Sequence, residues 1–151
     1  SYDTLLAENF YKIDNYTKAK KIYNNLSKQG KAFSWYSSKQ LAKIFLQEKK
    51  SDKALKLVSD TYNSLVVKNI YETFDYADFL KNNEKFTASI KFYTELLDKI
   101  EPNHSLFPKV LERTSTTGPS SVSNMLKSAI FSPSGPILLW ARCPVYFSYI
   151  K

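Results

Sequence analysis

Few residues in this 151-residue chain have the side-chain chemistry of a reactive centre. The single histidine, His104, sits in Glu101-Pro102-Asn103-His104, a stretch that reads as a loop. An imidazole can act as a general base or a metal ligand, but both roles need a positioned companion, and no second His and no Cys lies near it. Cys143 is the only cysteine, so the sequence offers neither a disulfide framework nor a thiolate metal site. Asp75 and Asp78 fall three apart on one helix face, where they could share a cation but read more simply as a solvated face. There is no nucleophile elbow, phosphate-binding glycine loop or zinc-ligand spacing. The chain is therefore expected to carry no catalytic residue, cofactor or metal.

The formal net charge of +8 points first toward nucleic acid or an anionic surface. The residue types weaken that reading. Among 22 basic residues only Arg113 and Arg142 are arginine, the side chain suited to bidentate phosphate and base recognition. The lysines are interleaved with Asp and Glu, as on solvated helix faces. Nucleic acid is disfavoured as a partner, and a lysine-rich repeat that binds it stands as the alternative. No apolar stretch reaches the roughly 18–20 residues of a membrane span. There is no initiator Met and no signal-like start, and Ser1 already falls inside a helical pattern. The expectation is a piece of a longer array, the compartment left open with the cytoplasm favoured. A regulatory arm of a larger enzyme is a further reading.

The elements that position these residues are legible as a repeat. Ala19, Ala54 and Ser89 are spaced by 35 residues, and other columns then align without adjustment. Leu6-Ala7, Leu41-Ala42 and Tyr76-Ala77 match, as do Phe10, Phe45 and Leu80. So do Tyr23, Val58 and Tyr93, and then Leu26, Thr61 and Leu96. Leu6, Ala7 and Phe10 share one helix face, and Ala19, Tyr23 and Leu26 share one face of a second helix. A short polar stretch separates them: Ile13-Asp14-Asn15-Tyr16, Glu48-Lys49-Lys50-Ser51 and Asn83-Glu84-Lys85-Phe86. The pattern predicts tandem antiparallel helix hairpins at about 1–33, 34–68 and 69–103, with the start of a fourth helix over 104–117. Small residues let the two axes of a hairpin approach, and the aromatics fill the core beside them. Three glycines, all outside the candidate helices, agree with an all-α chain.

The segments Leu41–Val58 and Tyr76–Tyr93 resemble the tetratricopeptide repeat, in a bacterial-type array. The order is a large apolar residue, a small one, an aromatic three further on, then a small residue and an aromatic in the second helix. The resemblance covers about residues 1–117. The units here are 35 residues long, where the family uses 34, and the proline that commonly ends a unit occurs once, as Pro102. The resemblance implies a right-handed α-solenoid that serves as a scaffold, holding a protein or peptide in a concave groove. Carried over, the groove residues are Thr4, Glu8 and Tyr11, then Tyr36, Lys39, Lys43 and Gln47, then Tyr71, Phe74, Asp78 and Lys81. Their mixture of aromatics and both charge signs suits an extended or helical peptide. It does not suit a clamp for C-terminal carboxylates, because Thr4, Glu8, Tyr71 and Asp75 occupy places where that clamp needs basic or amide groups.

The repeat fails toward the C-terminus. Leu106, Val110 and Leu111 are helix-spaced, with Ser115 as the next small residue, but the pattern stops at Gly118-Pro119. From Thr117 to Lys151 there is no Asp or Glu, and Pro, Ser and Gly cluster. Residues 118–151 are read as an irregular tail: an ordered cap, a disordered or interfacial segment, or the product of a shifted reading frame. The last is favoured, because composition breaks abruptly in mid-helix. The encoding DNA tests it, since no restored repeat in another frame past codon 117 would remove the idea.

Overall fold

The computed structural model describes residues 1–118. The tail readings for 119–151 lie outside the described residues. Those described form seven α-helices and no strand: α1 (Tyr2–Lys12), α2 (Tyr16–Leu26), α3 (Lys31–Gln47), α4 (Ser51–Ser64), α5 (Ile70–Asn82), α6 (Phe86–Lys99) and α7 (Phe107–Thr116). They divide into a first unit, Ser1–Lys68, and a second that begins at Asn69. In the first unit α1 packs on α2, α2 on α3 and α3 on α4; in the second, α5 packs on α6 and α6 on α7. The helix that opens each pair (α1, α3, α5) is called A and its partner (α2, α4, α6) B; α7 is a further A helix. None is long and apolar enough to cross a membrane.

The small columns sit where the two helices of each pair meet. Ala7, Ala19, Ala42, Ala54, Ala77 and Ser89 are all fully buried. In the third pair the Ser89 hydroxyl donates to the Ala77 carbonyl at 2.8 Å. A side chain as short as serine can reach the opposite backbone only where the axes are close. That contact also accounts for the one serine in an alanine column. Beside the crossing lie the filling residues, Tyr23, Val58 and Tyr93, each at most 1% exposed. The last column slips once: Thr61 is half-buried, bonding Ser38 and the Leu57 carbonyl. The bulk comes instead from Tyr62, whose ring lies 5.9 Å from that of Trp35.

The turns inside the pairs repeat as closely as the helices do. Each is three residues long, and its middle residue has positive φ: Asp14 (58°), Lys49 (60°) and Glu84 (61°). The following N–H reaches back five residues, from Asn15 to Phe10 (2.8 Å), Lys50 to Phe45 (2.8 Å) and Lys85 to Leu80 (2.9 Å). The middle N–H bonds three back, to Tyr11, Leu46 and Lys81. This is the Schellman C-cap, which satisfies the last carbonyls of the A helix and fixes the reversal. None of the three left-handed residues is glycine. Lys49→Gly is therefore expected to stabilise the chain by about 0.5–1 kcal/mol, the left-handed penalty of ~1–2 kcal/mol outweighing the flexibility cost of glycine. The check is a higher denaturant midpoint at unchanged slope. Asp14→Gly should gain less, because Asp tolerates this conformation.

Between pairs the chain is less regular. α3 starts at Lys31, ahead of the boundary expected near 33–34. α5 begins with a complete capping box, in which Asn69 and Glu72 each accept from the other's backbone N–H. In α7 the position that continues the Ala7, Ala42 and Ala77 column is the exposed Glu112; the expected small residue Ser115 is half-buried, and Thr114 beside it is 1% exposed and bonded to the Val110 carbonyl. Position 114 continues the register of Ile44 and Phe79.

Candidate functional site

The eleven expected groove residues all lie on A helices. Only Lys43, Gln47 and Tyr71 are exposed; Thr4, Glu8, Tyr11, Tyr36, Lys39, Phe74, Asp78 and Lys81 are half-buried. In the first unit the Tyr36 hydroxyl donates to Glu8 at 2.6 Å, tying α3 to α1. The Tyr36 ring meets that of Tyr23 edge-on at 6.3 Å. Tyr11 packs against Tyr16 at 5.7 Å, and the Thr4 hydroxyl lies 2.9 Å from that of Ser1. Lys39 places its ammonium 5.9 Å from the Trp35 ring. Below the face, Glu48 accepts from Lys20 (2.5 Å) and Lys50 (2.8 Å), and these bonds hold its carboxyl below the usual range.

In the second unit the arrangement centres on Asp78. It accepts from the buried Tyr93 hydroxyl and from Arg113 Nε at 3.3 Å. Phe74 lies beneath, 6.1 Å from the Tyr93 ring and 6.0 Å from the Arg113 guanidinium. Phe74 also packs against the core of this unit. Tyr71 is 56% exposed and has His104 at 6.2 Å on one side. His104 Nδ1 accepts the Leu106 N–H at 3.0 Å, which leaves the proton of the neutral ring on Nε2. That bond shapes the loop before α7. Among the described residues no group of three or more His, Cys, Asp or Glu could hold a metal ion.

Both acidic members of the expected groove are thus engaged within the fold. Glu8 is held by Tyr36, and Asp78 by Tyr93 and Arg113. Arg113 and Tyr93 were not among the expected site residues. A signal for Arg113 was present: it stands 35 residues after Asp78, and the column Glu8, Lys43, Asp78, Arg113 alternates in sign. No protein-family model, curated protein or solved structure matches this chain. What its A helices do must therefore be argued from their own geometry.

The two bonded tyrosines give a direct assay of this geometry. Burial first, and then the bond to Glu8, raise the Tyr36 phenol well above its ordinary value. Burial and the bond to Asp78 do the same for Tyr93. Because the folded value is raised, the neutral phenol is the form the fold favours. That contribution is complete below the ordinary tyrosine range, near pH 10, and is lost as pH rises through the folded value. Alkaline titration followed by phenolate absorbance should show a late step, above the ordinary tyrosine range, coincident with unfolding. Tyr36→Phe should shrink the late step. A single step for all tyrosines would contradict the bonded geometry.

Proposed function

We propose that the chain is a tetratricopeptide-like scaffold, a right-handed α-solenoid whose A helices hold a protein or peptide. The repeat reading is supported by one observation above others. Three features recur at the same spacing of 35 residues: the buried small pair, the left-handed turn residue and the bond back over five residues. Within each unit a B helix packs on the A helix that follows it, α2 on α3 and α6 on α7, which is the stacking such an array needs.

The ligand-holding role rests on the residues the fold does not use. With Glu8 and Asp78 engaged, the A helices of the first unit offer the exposed Lys43 and Gln47 and the half-buried Tyr11, and α5 of the second offers the exposed Tyr71 and the half-buried Lys81. An exposed aromatic on one unit and an exposed lysine on the other suit a polypeptide with apolar and acidic side chains. Immobilised chain should capture a polypeptide partner, and Tyr71→Ser combined with Lys43→Glu should reduce capture at least about tenfold. Unchanged helicity would show the variant folded. Equal capture by the variant moves the site off these faces. Affinity that falls steeply with salt and is competed by nucleic acid would favour the lysine-based alternative.

A further inference from the structure

We propose that Arg113 is an acid-reading point of the second unit, which takes the carboxylate of an Asp or Glu side chain in an extended peptide whose apolar side chain rests on Tyr71. The inference rests on the scaffold reading above and names the ligand of one of its faces. Arg113 stands on α7, and its Nε is the nitrogen nearest Asp78 of α5, at 3.3 Å. Its guanidinium also lies 6.0 Å from the Phe74 ring. Carboxylate and ring together restrict the orientation of the fork. The terminal nitrogens hydrogen-bond to none of the described residues, and the side chain is 35% exposed. A guanidinium held at Nε and open at its terminal pair is preset for a second carboxylate.

The surrounding charges favour an acid. The Asp78–Arg113 pair is neutral as a unit. Places three or four residues away share its face of each helix, and the charged residues there are Asp75, Lys81 and Lys109. Two lysines against one aspartate leave one positive charge, which a side-chain carboxylate matches and a phosphate dianion exceeds.

The same geometry sets the rest of the ligand. Tyr71, Phe74 and Asp78 are spaced by three and four residues and share one face of α5. Tyr71 is 56% exposed and stands about 10 Å from Asp78 along the helix axis. An extended chain covers that distance in about three residues. A helix is about 10 Å thick and has no room between α5 and α7 where the ion pair bridges them. His104 lies beside Tyr71, and its Nε2–H, bonded to no described residue, is a donor for a peptide carbonyl. The ligand is therefore an extended segment with an acid three residues from an aromatic or large aliphatic side chain.

The test selects random peptides displayed on phage against the immobilised full chain, then measures one enriched peptide by fluorescence anisotropy. Enriched sequences should carry Asp or Glu three residues from an aromatic or large aliphatic residue. Changing that acid to its amide should weaken binding at least about tenfold, and Arg113→Gln should remove the difference. Arg113→Lys, which keeps the charge but not the fork, should retain only part of it. The peptide change does not depend on how a protein variant folds, and an unchanged thermal melt verifies the two Arg113 variants. Tyr71→Ser should weaken the original peptide at least about tenfold. Enriched peptides without such an acid, or an acid-to-amide change without effect, overturn the inference and leave the scaffold reading standing. An acid effect that survives Arg113→Gln and is lost in Lys43→Glu also overturns it, by moving the acid to the first unit. No enrichment at all overturns both.

Discussion

Tyr93→Ala is expected to destabilise the second unit by about 3–5 kcal/mol, the range for truncating a large buried aromatic. Tyr93 is fully buried, shares a core with Ala77, Leu96, Leu97, Phe107 and Val110, and packs against the Phe74 ring. Its hydroxyl holds Asp78, so truncation leaves a cavity and removes one of the two groups that partner the carboxylate. Tyr93→Phe separates the two effects. It keeps the ring, leaves Asp78 to Arg113, and should cost only about 0.5–1.5 kcal/mol. Tyr71→Ala, at an exposed position, should be close to neutral for stability. A loss of 3–5 kcal/mol is a large part of the whole stability of an ordinary domain, so amide exchange in α5 to α7 should report it directly. If Tyr93→Ala cost no more than Tyr93→Phe, the packing described for the second unit would be wrong.

The parts of the fold that the sequence disclosed are those where volume is constrained from all sides. Where two helix axes approach, only a small side chain fits, and Ala7, Ala19, Ala42, Ala54, Ala77 and Ser89 therefore recur in register. The turns were located but their conformation was hidden, because Asp14, Lys49 and Glu84 adopt a left-handed backbone with side chains that do not advertise it. The last column slipped at Thr61, since a helix can bring a neighbour such as Tyr62 into the same gap by a small rotation. The site was harder still. That an A-helix residue faces a partner or turns to its own fold depends on what the next helix supplies. Glu8 is engaged because Tyr36 reaches it, and Asp78 because Tyr93 and Arg113 do. Those pairings join residues 15 to 35 apart in sequence, and a residue-by-residue reading of one helix face does not contain them. The sign alternation along Glu8, Lys43, Asp78 and Arg113 does contain part of them.

Ala54→Trp tests the close approach of axes from the opposite direction. Ala54 is fully buried on α4, which packs against α3, where Ala42 is equally buried. No rotamer of an indole fits a gap that admits only a methyl group, so the helices must part or the side chain must displace its neighbours. Overpacking of a few methylenes costs about 1–3 kcal/mol, and an indole adds far more volume than that. The expected result is a loss of at least about 3 kcal/mol, with α3 and α4 losing amide protection first. Lys53→Trp is the control: it places the same side chain one residue earlier, at an exposed position, and should change stability by less than about 0.5 kcal/mol. Ala54→Ser should be much milder than Ala54→Trp, because serine already fills the equivalent place at position 89 and bonds the carbonyl opposite. An ordering of Trp far below Ser would support a close crossing at a fixed small position in every hairpin. Equal effects of Ala54→Trp and Lys53→Trp would mean that position 54 faces outward and that the 35-residue register is misplaced.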